Sequence, residues 1–157
     1  MTWCHLSPDK SLDSIVPSTN APTPIGAISP RVPESSHGED PIVRVCVAPT
    51  VWQCVLSIPR YGTLYIYSID TDAVTDPTGT IADNKTTHEK WITDKDVQQS
   101  NGKVALTYRG YVNIDRQLMT SLKVHSHKNN LPLAPKDESS VWNIREEQWS
   151  LTQKFIT

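Results

Sequence analysis

The chain lacks most of the features that place a protein at a glance. Its 157 residues hold three cysteines, Cys4, Cys46 and Cys54, and no Cys-x-x-Cys pair. An odd count without paired spacing argues against a disulfide framework and fits a reducing cytosol. No block of consecutive basic residues occurs, and the formal net charge is −2. That balance argues against a dedicated nucleic-acid binder, which carries a basic patch or stripe, and against a polybasic membrane anchor. No stretch of about 18 apolar residues exists, so no membrane span is expected. The segment MTWCHLSPDK has no basic region leading into an apolar run. No secretory signal is expected there, and a cytoplasmic location follows as the expectation. Glycine-rich phosphate loops are absent as well; Gly79-Thr80 reads as a turn.

What is present is organised around IVRVCVAPTVWQCVLSI, Ile42 to Ile58. Ile42 to Val47 is β-branched and apolar on both faces, which suits a central strand. Ala48-Pro49 ends it, and Thr50 is placed to cap a helix. Val51, Cys54, Val55 and Ile58 then fall at i, i+3, i+4 and i+7, the spacing of one helical face, and Pro59 stops the run. Upstream, Trp3 and Leu6 are core candidates on a short first strand carrying His5. Pro8 to Asp40 contains Pro17, Pro22, Pro24, Pro30 and Pro33. Each removes a backbone donor and fixes φ, so a long loop is expected, with at most one helical turn over Ser11–Ile15.

Downstream the pattern is sheet. GTLYIYSID, Gly62 to Asp70, alternates with Leu64, Ile66 and Ser68 on one face and Tyr65, Tyr67 and Ile69 on the other. EKWITDKDV, Glu89 to Val97, reads as a weaker strand, Asn101-Gly102 as a hairpin turn, and Val104 to Ile114 as the returning strand with a bulge at Gly110. A further strand over Leu118–Val124 precedes a polar loop. Val141 to Thr157 suits either strands, around Trp142 and Trp149, or a helix; Arg145, Glu146, Glu147 and Gln148 are good helix formers and tilt the expectation to the helix, with the glutamates on its solvated face. The fold class is then α+β, mostly β: split, twisted antiparallel sheets with a short helix after the central strand. At this length one domain, 1–157, is expected.

The element order and three short motifs resemble the ADP-ribosyltransferase-like fold, in particular the branch with small bacterial rifampin ADP-ribosyltransferases and the RNA 2′-phosphotransferases. The motifs are Cys4-His5-Leu6-Ser7, Val45-Cys46-Val47-Ala48-Pro49-Thr50 and His88-Glu89-Lys90-Trp91-Ile92-Thr93. The likeness covers residues 3–115 and leaves 116–157 as an unassigned C-terminal extension. It implies NAD⁺, as substrate, in a cleft between two sheets, and transfer of ADP-ribose to an acceptor in a bacterial or phage setting. By position His5 would hold a ribose and Glu89 would oppose the positive charge that builds on the sugar as its glycosidic bond breaks. The implied cofactor-binding set is His5, Ser7, Cys46, Tyr65 and Tyr67, and the implied catalytic pair Glu89 and His5. Two positions depart from the family pattern. Leu6 stands where a glycine usually follows the His, and its side chain would crowd the nicotinamide amide. Cys46 and Val47 stand where the second strand usually ends in an aromatic; Tyr61, Tyr65 and Tyr67 are the substitutes on offer.

These departures motivate a second reading, a non-enzymatic module that binds a protein partner on the same scaffold, such as a phage inhibitor of host defence or a toxin-neutralising protein. Tryptophan, enriched at interface hot spots, recurs in the extension at Trp142 and Trp149. Other chemistry is poorly supported. Cys4-His5 with His125 and His127 has zinc-ligand types but no paired spacing, so no metal is expected, and a Cys–His nucleophile has no local signature.

Overall fold

The computed structural model describes residues 2–19, 22–32, 42–57, 60–77, 87–116, 119–120, 142–145 and 148–151, the last two stretches as backbone only. The fold is α+β and mostly β: ten short strands and two short helices among the described residues. Strand β1 is Thr2–Ser7, β2 Ser14–Ile15, β3 Ala27–Ile28, β4 Val45–Val47, β5 Gly62–Asp70, β6 Lys90–Ile92, β7 Val104–Ala105, β8 Thr107–Ile114, β9 Trp142–Arg145 and β10 Gln148–Leu151. Helix α1 is Val51–Ser57 and α2 is Asp94–Gln99.

A five-stranded sheet runs β1-β5-β8-β10-β9, a three-stranded one β3-β2-β7, and β4 pairs with β6. Strand β5, the longest of these, lies between β1 and β8 and carries core on both of its faces. Leu64 and Ile66 join Cys4, Leu6, Val112 and Ile114 against Trp52 and Val55 of α1. Tyr67 and Ile69 face the other way, with Trp3, Ile15, Val45, Val47 and Ile92. The end of β4 also reaches β1. Cys4 N donates to Ala48 O at 2.7 Å and Ala48 N to Cys4 O at 3.0 Å. The neighbours of Cys4 pair with β5, so β1 has β5 on one edge and the end of β4 on the other.

Local chemistry explains α1. Thr50 Oγ1 accepts from Gln53 N at 3.3 Å and donates to Gln53 Oε1 at 2.9 Å, so the helix starts where the sequence places its cap. Gly110 also behaves as expected. Between Tyr67↔Tyr108 and Ile66↔Gly110 the register shifts by the one extra residue, Arg109, and Gly110 has φ 134°. A side chain is strained at that angle. Gly110→Ala is expected to cost about 1–3 kcal/mol, measurable as a lower urea midpoint with an unchanged slope.

Five expectations are corrected. Ser11–Ile15 makes no helical turn: Ser14 and Ile15 form β2, parallel to β3 and antiparallel to β7, because Ile15, with no exposed surface, is worth more in the core than in a one-turn helix. The run from Glu89 is a strand only through Ile92. Thr93 Oγ1 accepts from Asp96 N at 3.4 Å while Asp96 Oδ2 accepts from Thr93 N at 2.9 Å, a capping box that opens α2. Asn101-Gly102 is therefore no hairpin turn between strands but the end of that helix. Their φ angles are 61° and 79°, and Gly102 N donates to Val97 O at 3.0 Å, as at a left-handed helix terminus. In the C-terminal segment the described residues 142–145 and 148–151 form not a helix but the strands β9 and β10, antiparallel through Gln148↔Arg145, with β10 parallel to β8 at Gln148↔Tyr111. Strand β4 is also shorter than expected and belongs to a two-stranded sheet rather than the centre of the large one. The strand expected over 118–124 lies outside the described residues except Met119 and Thr120, which are helical; Glu146, Glu147, His125 and His127 also lie outside them. No described helix is long and apolar enough to cross a membrane.

Candidate functional site

Two of the candidate residues, His5 and Glu89, contact Cys46 at different atoms. His5, on β1, has its Nδ1 at 2.9 Å from the Cys46 carbonyl oxygen. A carbonyl only accepts, so Nδ1 carries the proton. Burial lowers the pKa of His5, and the Arg31 cation lowers it further, against the opposing pull of the Cys46 carbonyl. The ring is then neutral at pH 7, and its Nε2 presents a lone pair suited to a hydroxyl donor.

The thiol end of Cys46 faces a different set. Antiparallel pairing puts Cys46 opposite Trp91, and residues two apart on a strand share a face. Arg44 and Glu89 therefore stand on the same face as Cys46 and Trp91. The Trp91 indole Nε1 donates to Glu89 Oε2 at 3.2 Å, and the Arg44 guanidinium lies 4.0 Å from the centre of the Trp91 ring system. Arg44 Nη1 also donates to Ile42 O at 3.1 Å. Arg44, Glu89 and Trp91 are all buried. The Cys46 thiol is pushed up to about 12, first by burial and next by the Glu89 carboxylate, against the opposing effect of Arg44.

That value makes Cys46 a thiol and not a nucleophilic thiolate at neutral pH. Cys4 and Cys54 are buried, and Cys54 Sγ donates to Cys4 O at 3.0 Å. The native chain is expected to take up no iodoacetamide at pH 8 over an hour, and three equivalents once denatured, by intact mass.

The remaining candidates divide. Ser7 is buried and its Oγ accepts from Asp9 N at 3.1 Å, a local turn bond. Tyr67 has no exposed surface; its hydroxyl donates to Asp9 O at 2.6 Å and accepts from Leu12 N at 3.2 Å. Its ring is core and offers no face for stacking. Tyr65 is half-buried and packs beside Tyr108, ring centroids 6.3 Å apart. Tyr61 is exposed. The Leu6 side chain lies on the other side of β1 from His5. Neighbours on a strand point to opposite faces, and Leu6 is buried in the cluster against α1, away from the face of His5.

Sequence reasoning missed Trp91 as a partner of Glu89 and Arg44 as the cation over the Trp91 ring. The available signal was Arg44 inside an otherwise apolar strand, since a buried cation needs an arranged partner. The aromatic absent from the end of β4 has a cross-strand counterpart in Trp91, which is fully buried and covered by Arg44. A cleft of about 350 Å³ opens elsewhere, lined by Thr2, Cys4, Val51, Ser68, Asp70 and Arg109 among others, and His5, Cys46 and Glu89 do not line it. No protein-family model, curated protein or solved structure matches the chain.

Proposed function

We propose that the chain binds NAD⁺ and transfers its ADP-ribose to an acceptor, in the manner of the ADP-ribosyltransferase-like fold. The observation that carries this reading is that His5 and Glu89 each contact Cys46, His5 at its carbonyl oxygen and Glu89 at its thiol. They come from β1 and from the residue before β6, and the end of β4 lies between those strands. In the proposed reaction the bond between nicotinamide nitrogen and ribose C1′ breaks. Nicotinamide leaves neutral with the electron pair, and C1′ becomes cationic. The Glu89 carboxylate opposes that charge in a site where burial strengthens the effect. Neutral His5 accepts a ribose hydroxyl at Nε2. The acceptor then attacks C1′, and its proton passes to water.

Thermal unfolding with and without millimolar NAD⁺, with nicotinamide measured in the same tube, tests this. A rise in Tm by mass action together with nicotinamide release is the expected result. A chain that shows neither is not a transferase, and capture of a protein partner becomes the next experiment. A rise without release would leave a binding pocket and remove the chemistry.

A further inference from the structure

The bulge in β8 has a consequence for the sheet face beside His5. In an unbroken strand Tyr108 and Tyr111, three apart, point to opposite faces. The extra residue Arg109 cancels one alternation. Tyr108 then pairs with Tyr67 and Tyr111 with Tyr65, and all four tyrosines share one face. The same face carries His5 opposite Tyr67 and Ser7 opposite Tyr65. Tyr67 is sealed in the core. Tyr65, Tyr108 and Tyr111 are each half-buried, so this end of the face remains accessible. The ammonium of Lys10, an exposed residue, lies 6.0 Å from the Tyr108 ring centre.

We propose that this tyrosine strip stacks the adenine of a nucleotide, with Lys10 meeting its phosphate. Partly exposed rings on a sheet offer π surface to a planar base, and a cation at their margin selects an anionic ligand. Strand spacing sets Tyr111 roughly 12 Å from His5. With a ribose of the ligand held at His5, the adenylate half of one dinucleotide falls along the strip. The assignment of that ligand rests on the transferase reading; the stacking site itself does not.

The test is calorimetric titration of AMP into the full chain, with nicotinamide mononucleotide, which lacks adenine, as the competitor. Saturable AMP binding is expected, untouched by equimolar nicotinamide mononucleotide. Tyr111→Leu and Tyr65→Leu are each expected to weaken it roughly tenfold, and Lys10→Gln by a smaller factor. Absence of saturable AMP binding overturns the proposal, as does equal affinity in the Tyr65→Leu/Tyr111→Leu double variant with parental Tm. Displacement by nicotinamide mononucleotide does so too, since it would mark a phosphate site indifferent to the base. The two readings fail separately. AMP binding without nicotinamide release removes the transferase, and release without AMP binding removes the strip.

Discussion

Glu89→Gln is expected to lower nicotinamide release and ADP-ribose transfer by about 10²- to 10³-fold, the scale for removing one electrostatic group aimed at transition-state charge. The substitution is nearly isosteric. The amide oxygen of Gln can still accept from Trp91 Nε1, which lies 3.2 Å from the carboxylate in the parent. What disappears is the charge, so the fold is expected to survive with a stability loss of at most about 1.5–3 kcal/mol, the range for a hydrogen bond to a charged group. An internal reporter separates loss of charge from misplacement of the side chain. Glu89 is one cause of the raised pKa of Cys46, so in Glu89→Gln that pKa falls, and the onset of Cys46 alkylation moves to lower pH. Activity within tenfold of the parent, with the Cys46 titration displaced as expected, would remove Glu89 from the chemistry and leave it a structural carboxylate.

The parts of this fold that the sequence disclosed are those where a single periodicity acts alone. β5 was legible because nine residues alternate without interruption, and α1 because its apolar spacing is bracketed by Thr50 and Pro59. The bulge at Gly110 was legible because an isolated glycine in a strand has few other uses. The errors fall where one residue type serves two geometries. Asn101-Gly102 signals positive φ, and the structure has it there, but the same pair suits a hairpin turn and a helix terminus. The choice depended on Thr93 and Asp96, whose capping box was hidden inside what looked like strand alternation. The C-terminal segment went wrong for a related reason. Its propensity is helical, but β10 pairs with β8, and propensity yields to tertiary pairing. At the site, His5, Cys46 and Glu89 could be named because they lie in short motifs. Arg44 and Trp91 acquire their roles only through the β4–β6 register, which follows from neither strand's local sequence.

Trp91→Ala is expected to be the most damaging single substitution among the described residues, at about 5 kcal/mol. Truncating a fully buried Trp costs about 3–5 kcal/mol through lost transfer energy and the cavity left behind. Two further losses are particular to this position. The Arg44 guanidinium would lose its stacking partner in a buried setting, where such contacts reach about 2 kcal/mol, and Glu89 would lose a donor. Domains are stable by about 5–15 kcal/mol, so Trp91→Ala is expected to lose between about a third and all of its stability at 25 °C. The interpretable experiment is therefore a double-mutant cycle on milder changes. Trp91→Leu removes the π face and the indole donor while filling part of the volume, and Arg44→Met removes the cation while keeping a flexible stem. If the stack contributes, the two destabilisations measured by urea unfolding will be non-additive by about 1–2 kcal/mol, because the second change finds the contact already gone. Strict additivity would mean that Arg44 and Trp91 are held by their other neighbours and touch without consequence. The same cycle read through nicotinamide release bears on Glu89. A carboxylate placed by Trp91 alone loses activity in Trp91→Leu and not in Arg44→Met, whereas one placed by the whole cluster around Cys46 loses it in both.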